Sequence, residues 1–230
     1  MHSFVDRADA GRRLAPLVAA VLDARDPPPL VLALPRGGVP VGAEIAAALR
    51  APLDVLLVRK LGVPERPELA FGAIASGGAR VVNEEVVAAA GLDAAAIAAV
   101  VTAEERELLR RELRYRGDRP APGVTHRAVV VVDDGAATGA TMRAAVLALR
   151  RRGAARVIAA APVGSAEACT LLLADADAVI CPLVPPRFDA VGRWYEHFDA
   201  VSDNAVSSIL RRDWTAPLQA APRRRPTPSR

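Results

Sequence analysis

Lysine is almost missing from this chain: Lys60 stands alone among 30 basic residues, the rest being arginine. Cysteine is nearly as scarce. Cys169 and Cys181 are the only two, which excludes a disulfide framework and a haem-type cysteine motif. Neither has a Cys or His at metal-ligand spacing, so both are expected to be reduced and inert. Aromatics are only 3% of the 230 residues. No apolar run reaches the roughly 18 residues of a membrane helix; the longest is Ala94–Val101. The opening residues Asp6, Arg7, Asp9, Arg12 and Arg13 lack the apolar stretch of a secretory signal. A soluble, cytoplasmic protein without a membrane partner is expected.

Alanine is abundant, with 49 residues, and the formal net charge is +4. A basic balance invites a nucleic-acid reading, but its distribution weakens that. From Pro217 onward stand Arg223, Arg224, Arg225, Arg230 and no acid, leaving 26 basic and 26 acidic side chains before them. Residues 217–230 hold four prolines and no buriable pattern, so they are expected to be a disordered tail with at most weak contact to nucleic acid.

Hydrophobic patterning alternates helices with strands. Leu14, Leu17, Val18, Val21 and Leu22 recur at helical spacing, with Pro16 expected to kink that helix or sit in its first turn. Leu30–Pro35 reads as a buried strand ending in Arg36-Gly37-Gly38, followed by a helix over Val41–Leu49. Leu53–Val58 reads as a second buried strand ending in Arg59-Lys60, and the Pro-punctuated residues 63–68 as an exposed loop. Short strands are expected at Gly72–Ala75 and Arg80–Val82, then a long helix over Asp93–Arg116. Thr102 and Glu105 have capping-box spacing inside that pattern. Val129–Val132, Arg156–Ala161 and Ala178–Cys181 read as strands, with helices after the first two. Apolar strands that do not alternate imply a parallel sheet covered on both faces. Ligands on such sheets bind beyond the carboxyl ends of the strands, which here carry Arg36-Gly37-Gly38, Arg59-Lys60 and Asp133-Asp134.

The segment Asp133-Asp134-Gly135-Ala136-Ala137-Thr138-Gly139-Ala140-Thr141 combines two chemistries. Its small, Gly-containing end opens a helix, where backbone N–H groups and threonine hydroxyls make a phosphate cradle. Its two carboxylates would repel phosphate, so they face hydroxyls, a cation or a developing positive charge. A ribose 5-phosphate satisfies both halves. The bland alternative is an Asp pair that caps a strand-to-helix turn.

The whole pattern of four valines, Asp-Asp, small residues and Thr-Gly-Ala-Thr resembles the phosphoribosyl pyrophosphate (PRPP) signature of type I phosphoribosyltransferases. The likeness covers about residues 4–212 and extends to a bacterial subgroup of that family. It includes the opening Phe4-x-Asp6-Arg7-x-x-Ala10-Gly11 and the closing Val191-Gly192-x-Trp194-Tyr195-x-x-Phe198. The resemblance implies an α/β fold with a parallel, Rossmann-like core over about 28–182. A hood would be built from 1–26 and 183–216, with a helical insertion near 93–116, giving one domain over 1–216. It implies a pentosyltransferase that moves the 5-phosphoribosyl group of PRPP to a nitrogenous, nucleobase-like acceptor and releases pyrophosphate with Mg²⁺. The metal would be held mainly by PRPP rather than by protein ligands.

Residue by residue, the resemblance assigns Asp133 and Asp134 to the ribose hydroxyls and the oxocarbenium charge. Ala136, Ala137, Thr138, Gly139, Ala140 and Thr141 would hold the 5-phosphate, and Arg36, Gly37 and Gly38 the pyrophosphate. Arg59 and Lys60 would assist departure, a loop over Leu61–Phe71 would close over the site, and Phe188 would stack on the acceptor base. A homodimer is compatible with this family. Ala137 stands where many hypoxanthine-guanine enzymes of the family have an aspartate base, and Ala161-Pro162-Val163-Gly164 lacks their base-reading lysine. Both departures argue against a 6-oxopurine acceptor and leave Glu65, Glu68 or Asp189 to act as a base. A PRPP-sensing regulator without turnover, acting on nucleic acid or a protein partner, is the alternative. Neither a dinucleotide fingerprint nor a Walker phosphate loop is present.

Overall fold

A computed structural model describes residues 4–23 and 28–215; the expected tail lies outside them. In chain order the elements are α1 (Arg7–Ala20), β1 (Leu30–Ala33), α2 (Gly38–Leu49), β2 (Leu53–Val55), β3 (Val58–Val63), β4 (Arg66–Ala75), β5 (Ala79–Val82), α3 (Glu84–Ala89) and α4 (Ala94–Arg116). They continue with β6 (Ala128–Val132), α5 (Ala140–Arg151), β7 (Arg156–Ala160), α6 (Ala166–Leu173), β8 (Ala178–Ile180), a 3₁₀ turn (Val191–Trp194) and α7 (Asp203–Thr215).

The main sheet is wholly parallel in the order β2-β1-β6-β7-β8. Its strands are apolar at every position except Asp54 of β2 and Arg156 of β7, because both faces are covered. Val31, Ala33, Val130 and Val132 pack with Leu14 and Val18 of α1, Ile45 of α2 and Leu210 of α7. The alternate residues Leu30, Leu32, Val129 and Val131 pack with Met142, Val146 and Leu149 of α5 and Leu172 of α6. From β1 the chain first crosses to β2 on one side and later returns to β6 on the other. Such a reversal opens a crevice at the carboxyl ends of the two central strands. It holds the loops after Ala33 and Val132, tied together by the Leu34 N–H donating to the Val132 carbonyl at 2.8 Å.

Three expectations need correction, on the strand over Leu53–Val58, on Arg59-Lys60 at its end and on the loop over Leu61–Phe71. The strand expected over Leu53–Val58 divides between two sheets. The Leu56 N–H still donates to Ala33 of the main sheet, whereas the Leu57 N–H donates to Ser76 Oγ at 3.0 Å. Arg59 and Lys60 therefore do not end a strand but lie inside β3, in a separate antiparallel sheet β3-β4-β5. The loop expected over Leu61–Phe71 is a strand pair with a turn at Pro64-Glu65; its backbone groups pair across β3 and β4, with register shifts at Gly62. Pro16 lies well inside α1 rather than in its first turn. Thr102 and Glu105 start no helix: α4 begins at Asp93, whose carboxylate accepts from the Ala96 N–H at 2.7 Å.

Candidate active site at the ends of two parallel strands

Asp133 and Asp134 leave β6 in the crevice, both half-buried. The Asp134 N–H donates to Asp133 Oδ1 at 2.8 Å. Burial, and then the neighbouring Asp134 charge, push the Asp133 carboxyl well above the usual carboxylate range. Asp134 is held differently. Arg7 Nε donates to its Oδ2 at 2.8 Å, with the two side chains only 11% and 15% exposed. Arg7 also donates to the Asp199 carbonyl at 2.8 Å and lies 3.8 Å over the Phe198 ring. The Tyr195 hydroxyl donates to the Asp134 carbonyl at 2.6 Å. The two acids thus sit in different surroundings: Asp134 lies beside a buried cation, and Asp133 is crowded by burial and by its neighbour's charge.

The glycines after β1 serve this pair. A Cβ on Gly37 would fall 1.9 Å from Asp134 Oδ2, and one on Gly38 would fall 2.5 Å from the Val132 carbonyl oxygen. No other residue lets the two strand-end loops meet. Their first physical role is to seat Asp134 beside the loop of β1.

Beyond the acids, the chain runs through half-buried Gly135 and buried Ala136 to exposed Ala137 and Thr138. Ser165 fixes this loop: its hydroxyl donates to the Ala137 carbonyl at 2.8 Å and its N–H to the Ala136 carbonyl at 2.9 Å. With both carbonyls occupied, Gly139 turns at φ +70° to cap α5 without a side-chain hydrogen bond. The first turn of α5 carries exposed Thr141, and its leading N–H groups have no acceptor within the helix. Its positive end suits an anion. Lys60 lines a cavity of about 530 Å³ together with Thr141 and Glu104.

The other expected cations are placed apart. Arg59 donates through Nε to Glu104 of α4 at 2.6 Å. Arg36 lines a different cavity with Arg110, Arg114 and Asp203. The structure therefore brings Lys60 to the start of α5 but places Arg36 beside α4.

Phe188 is half-buried in a cluster with Phe4, Trp194, Tyr195, Val191 and Phe198. That cluster joins the two distant ends of the domain, since the Phe4 N–H donates to the Trp194 carbonyl at 2.8 Å. Among the possible bases, Asp189 is paired with Arg193, and Glu65 and Glu68 are exposed on the β3–β4 pair. Burial and a neighbouring Cys169 push the Cys181 thiol up, away from the reactive thiolate.

A model of the phosphoribosyl transferase domain matches residues 8–194, which contain both strand-end loops and the start of α5. The chain belongs to the phosphoribosyl transferase domain family. Proteins from two strains of Mycobacterium tuberculosis, both provisionally named phosphoribosyl transferases, are 48% identical over 212 residues. The match covers 92% of this chain but only 47% of each relative, so the chain spans about half their length. The crystal structure of TT1426 from Thermus thermophilus is 41% identical, with a TM-score of 0.82 over 90% of this chain and 97% of that one. The fold is that of the type I phosphoribosyltransferases, a parallel five-strand sheet between helices.

Sequence reasoning singled out Arg7 only as part of a family resemblance and gave it no role. It is the cation that contacts the acid pair. No local signal marks it, because Arg7 and Asp134 are 127 residues apart. For a metal, the described residues contain no group of three or more His, Cys, Asp or Glu that could form a protein cage. The Asp133–Asp134 pair is an all-oxygen donor set that fits a hard cation such as Mg²⁺ only if substrate and water supply most of its ligands.

Proposed function

We propose that this chain binds PRPP in the crevice between β1 and β6 and transfers its 5-phosphoribosyl group to a nitrogenous acceptor, releasing pyrophosphate. The observation that carries this reading is the division of the β6–α5 loop. An acid pair sits at its start and a threonine-bearing helix N-terminus at its end, with the loop between them fixed by Ser165. The Gly139 cap there offers no side chain, and the Ala140 N–H donates to Thr138 Oγ1 at 3.4 Å. A 5-phosphate fits the α5 end, through the leading N–H groups and the hydroxyls of Thr138 and Thr141. Ribose hydroxyls fit the carboxylates, which accept from them.

The C1–O bond to pyrophosphate then breaks and a C1–N bond to the acceptor forms on the opposite face. As C1 becomes oxocarbenium-like, Asp133 and Asp134 stabilise the charge from fixed positions. Arg7 orients Asp134 through its Nε hydrogen bond. Lys60, beside Thr141, is the mobile cation placed to meet phosphate oxygens. Mg²⁺, when bound, would neutralise pyrophosphate charge, with Asp133 and Asp134 the protein groups nearest to hand. The segments around Phe4 and Phe188–Phe198 form the hood over the acceptor, and Phe188 offers the face on which a planar ring stacks.

The test is calorimetric binding of PRPP followed by pyrophosphate release over a panel of nitrogenous acceptors with Mg²⁺. PRPP binding that disappears in Asp133→Asn/Asp134→Asn, with the fold retained, is the expected result. Unchanged binding in that variant would remove the acid pair from the site. PRPP binding without turnover of any acceptor would turn the reading toward a sensor.

A further inference from the structure

The two cysteines take no part in the proposed transfer, yet the fold brings both beneath the β6–α5 loop. Cys169 stands in the first turns of α6 and Cys181 directly after β8, each a half-buried free thiol. Cys181 Sγ lies 3.0 Å from the place that a Cβ on Gly164 would take, with the Ala136 carbonyl 3.2 Å from the same point. Any larger residue there would crowd both. The Cys169 thiol is the neighbour of Cys181 on its other side. We propose that this pair is a reversible oxidation site, whose closure to a disulfide displaces the cradle at the start of α5. The consequence for the cradle rests on the phosphate reading above; the closure itself does not.

Both sulfurs hang on the residues that fix that cradle. Ser165, the N-cap of α6, donates through its hydroxyl to the Ala137 carbonyl at 2.8 Å and accepts from the Ala168 N–H at 2.9 Å. One turn on, the Cys169 N–H donates to the Ser165 carbonyl at 3.1 Å. Ala168, next to Cys169, packs on the α5 cap, since a Cβ on Gly139 would fall 3.2 Å from its Cα. Across the gap, Cys181 Sγ sits 3.7 Å from the Leu183 carbonyl, which accepts from the Gly164 N–H at 3.1 Å. Two thiols in van der Waals contact stand well beyond the roughly 2.05 Å of a disulfide bond. Closure therefore draws α6 toward the end of β8, and a close-packed interior transmits such a shift rather than absorbing it. Ser165, bonded to α6 and to the cradle alike, must follow.

The oxidant is a low-molecular-weight disulfide. Burial and the adjoining thiol push Cys181 toward its neutral form, so Cys169 reacts first. Its neighbours Glu167 and Thr170 are exposed, which leaves a reagent a path to it. The Cys169 thiolate attacks one sulfur of the small disulfide and that S–S bond breaks. One small thiol leaves with the proton that Cys169 gave up. Cys181, no longer beside a thiol that can charge, then loses its proton and attacks the Cys169 sulfur. The mixed disulfide breaks, and the second small thiol leaves with that proton. Two protein thiols are oxidised while one small disulfide is reduced to two thiols. An excess of small thiol runs the sequence backwards.

The experiment equilibrates the full chain with glutathione and glutathione disulfide over a range of ratios. Free-thiol counts and intact mass should show both thiols lost together, without a glutathione adduct, and recovered in excess reductant. Cys181→Ser should stop at the mixed disulfide on Cys169, and Cys169→Ser should leave Cys181 largely unreacted. Cys169→Ala and Cys181→Ala repeat the test, and thermal melts establish that each variant is folded. Inorganic phosphate should bind the oxidised chain about tenfold more weakly, a fraction of the roughly 10²-fold that a 1 Å misplacement costs catalysis. Amide exchange over residues 136–141 should quicken with it, and Cys169→Ser/Cys181→Ser should show neither response to the oxidant. Adducts on both cysteines, or two free thiols at every ratio, would overturn the site. A disulfide that leaves phosphate binding and amide exchange unchanged would overturn its link to the cradle. A reduced chain that binds neither phosphate nor PRPP would refute the proposed activity instead, and thiol counts and amide exchange would still decide for or against this site.

Discussion

At the end of β6 an acid pair is held by glycine packing, a buried arginine and a tyrosine hydroxyl on its backbone, whereas the cations expected to face it are divided between the loop after β1 and strand β3. Arg59 is tied to Glu104, Arg36 lies near Asp203, and Lys60 is exposed on β3. The acid side is assembled before any ligand arrives; the basic side is distributed around the crevice and partly occupied by its own carboxylates. The difference matters physically. Charge that must stabilise a short-lived cation benefits from being fixed in advance, while charge that must hold and then release an anion benefits from reach and exchange.

The largest effect expected from breaking this arrangement lies under the basic side. Arg116 is almost fully buried and donates to Asp54 at 2.9 Å. It pins the end of α4 to β2. Burial raises the Asp54 carboxyl pKa even against the attraction of Arg116. Arg116→Leu therefore leaves a buried acid uncompensated and should cost about 3–5 kcal/mol in urea denaturation. Restoring most of that stability in Asp54→Asn/Arg116→Leu would show that the cost comes from the orphaned charge. A loss below about 1 kcal/mol in the single variant would mean that α4 is held mainly by its apolar contacts.

Next is the acid pair itself. Asp133→Asn should lower transfer about 10²–10³-fold, as loss of a preorganised electrostatic group does. The same substitution should make the protein more stable near neutral pH. The Asp133 carboxyl is raised above its ordinary 3.8 in the fold. Its contribution to stability is therefore fully present below 3.8 and lost as pH rises through the raised value. Thermal melts of wild type and variant should converge in acid and separate above it, with the variant higher. A variant that melts lower at neutral pH would show that Asp133 is better solvated or paired than its burial indicates.

How far this was readable in advance follows the same division. The acid pair and the cradle sit on consecutive residues, 133–141, at a strand-to-helix junction that composition and spacing both mark. Their grouping needed no knowledge of the tertiary fold. The β3–β4 pair was misjudged because Pro64 and Pro67 signal a loop, while the pairing depends on partners across the hairpin and a register shift at Gly62. Helix α7 was overlooked although Val206, Ile209 and Leu210 have helical spacing. The cavity of Arg36, Arg110 and Arg114 was beyond local reading, since Arg36 meets α4 only through the fold. Arg7 belongs with them: its role depends on a contact across 127 residues.

Arg7 makes the next prediction, because among the described residues it is the cation paired with the acid side. Arg7→Gln removes the charge beside Asp134 and should weaken PRPP binding about tenfold, within the scale of a lost buried charge-assisted hydrogen bond. It should also move the acid limb of the activity profile to higher pH, since Asp133 then loses the Arg7 charge that opposes its upward shift. Arg7→Lys should recover part of the pH shift but less of the affinity, having no fork to reach Asp134 and the Asp199 carbonyl together. Lower affinity with an unmoved pH profile would reduce Arg7 to a packing residue on Phe198.

The smallest effect concerns the one lysine. Lys60 reaches the cavity beside Thr141, while its neighbour Arg59 is engaged with Glu104. If the basic side works by reach, Lys60→Ala should lower kcat/KM for PRPP by about one order of magnitude, the scale of one exposed but charge-assisted contact. Arg59→Ala should do less, because its charge is already neutralised by a carboxylate. Lys60→Arg tests the point most closely. A guanidinium supplies the same charge but a planar donor set on a bulkier head, so activity should fall partway toward that of Lys60→Ala. Full activity in Lys60→Arg would make charge alone sufficient there, and a larger loss from Arg59→Ala than from Lys60→Ala would reverse the assignment. In that case the Arg59–Glu104 pair opens when substrate binds, and the basic side is more preorganised than its present pairing indicates.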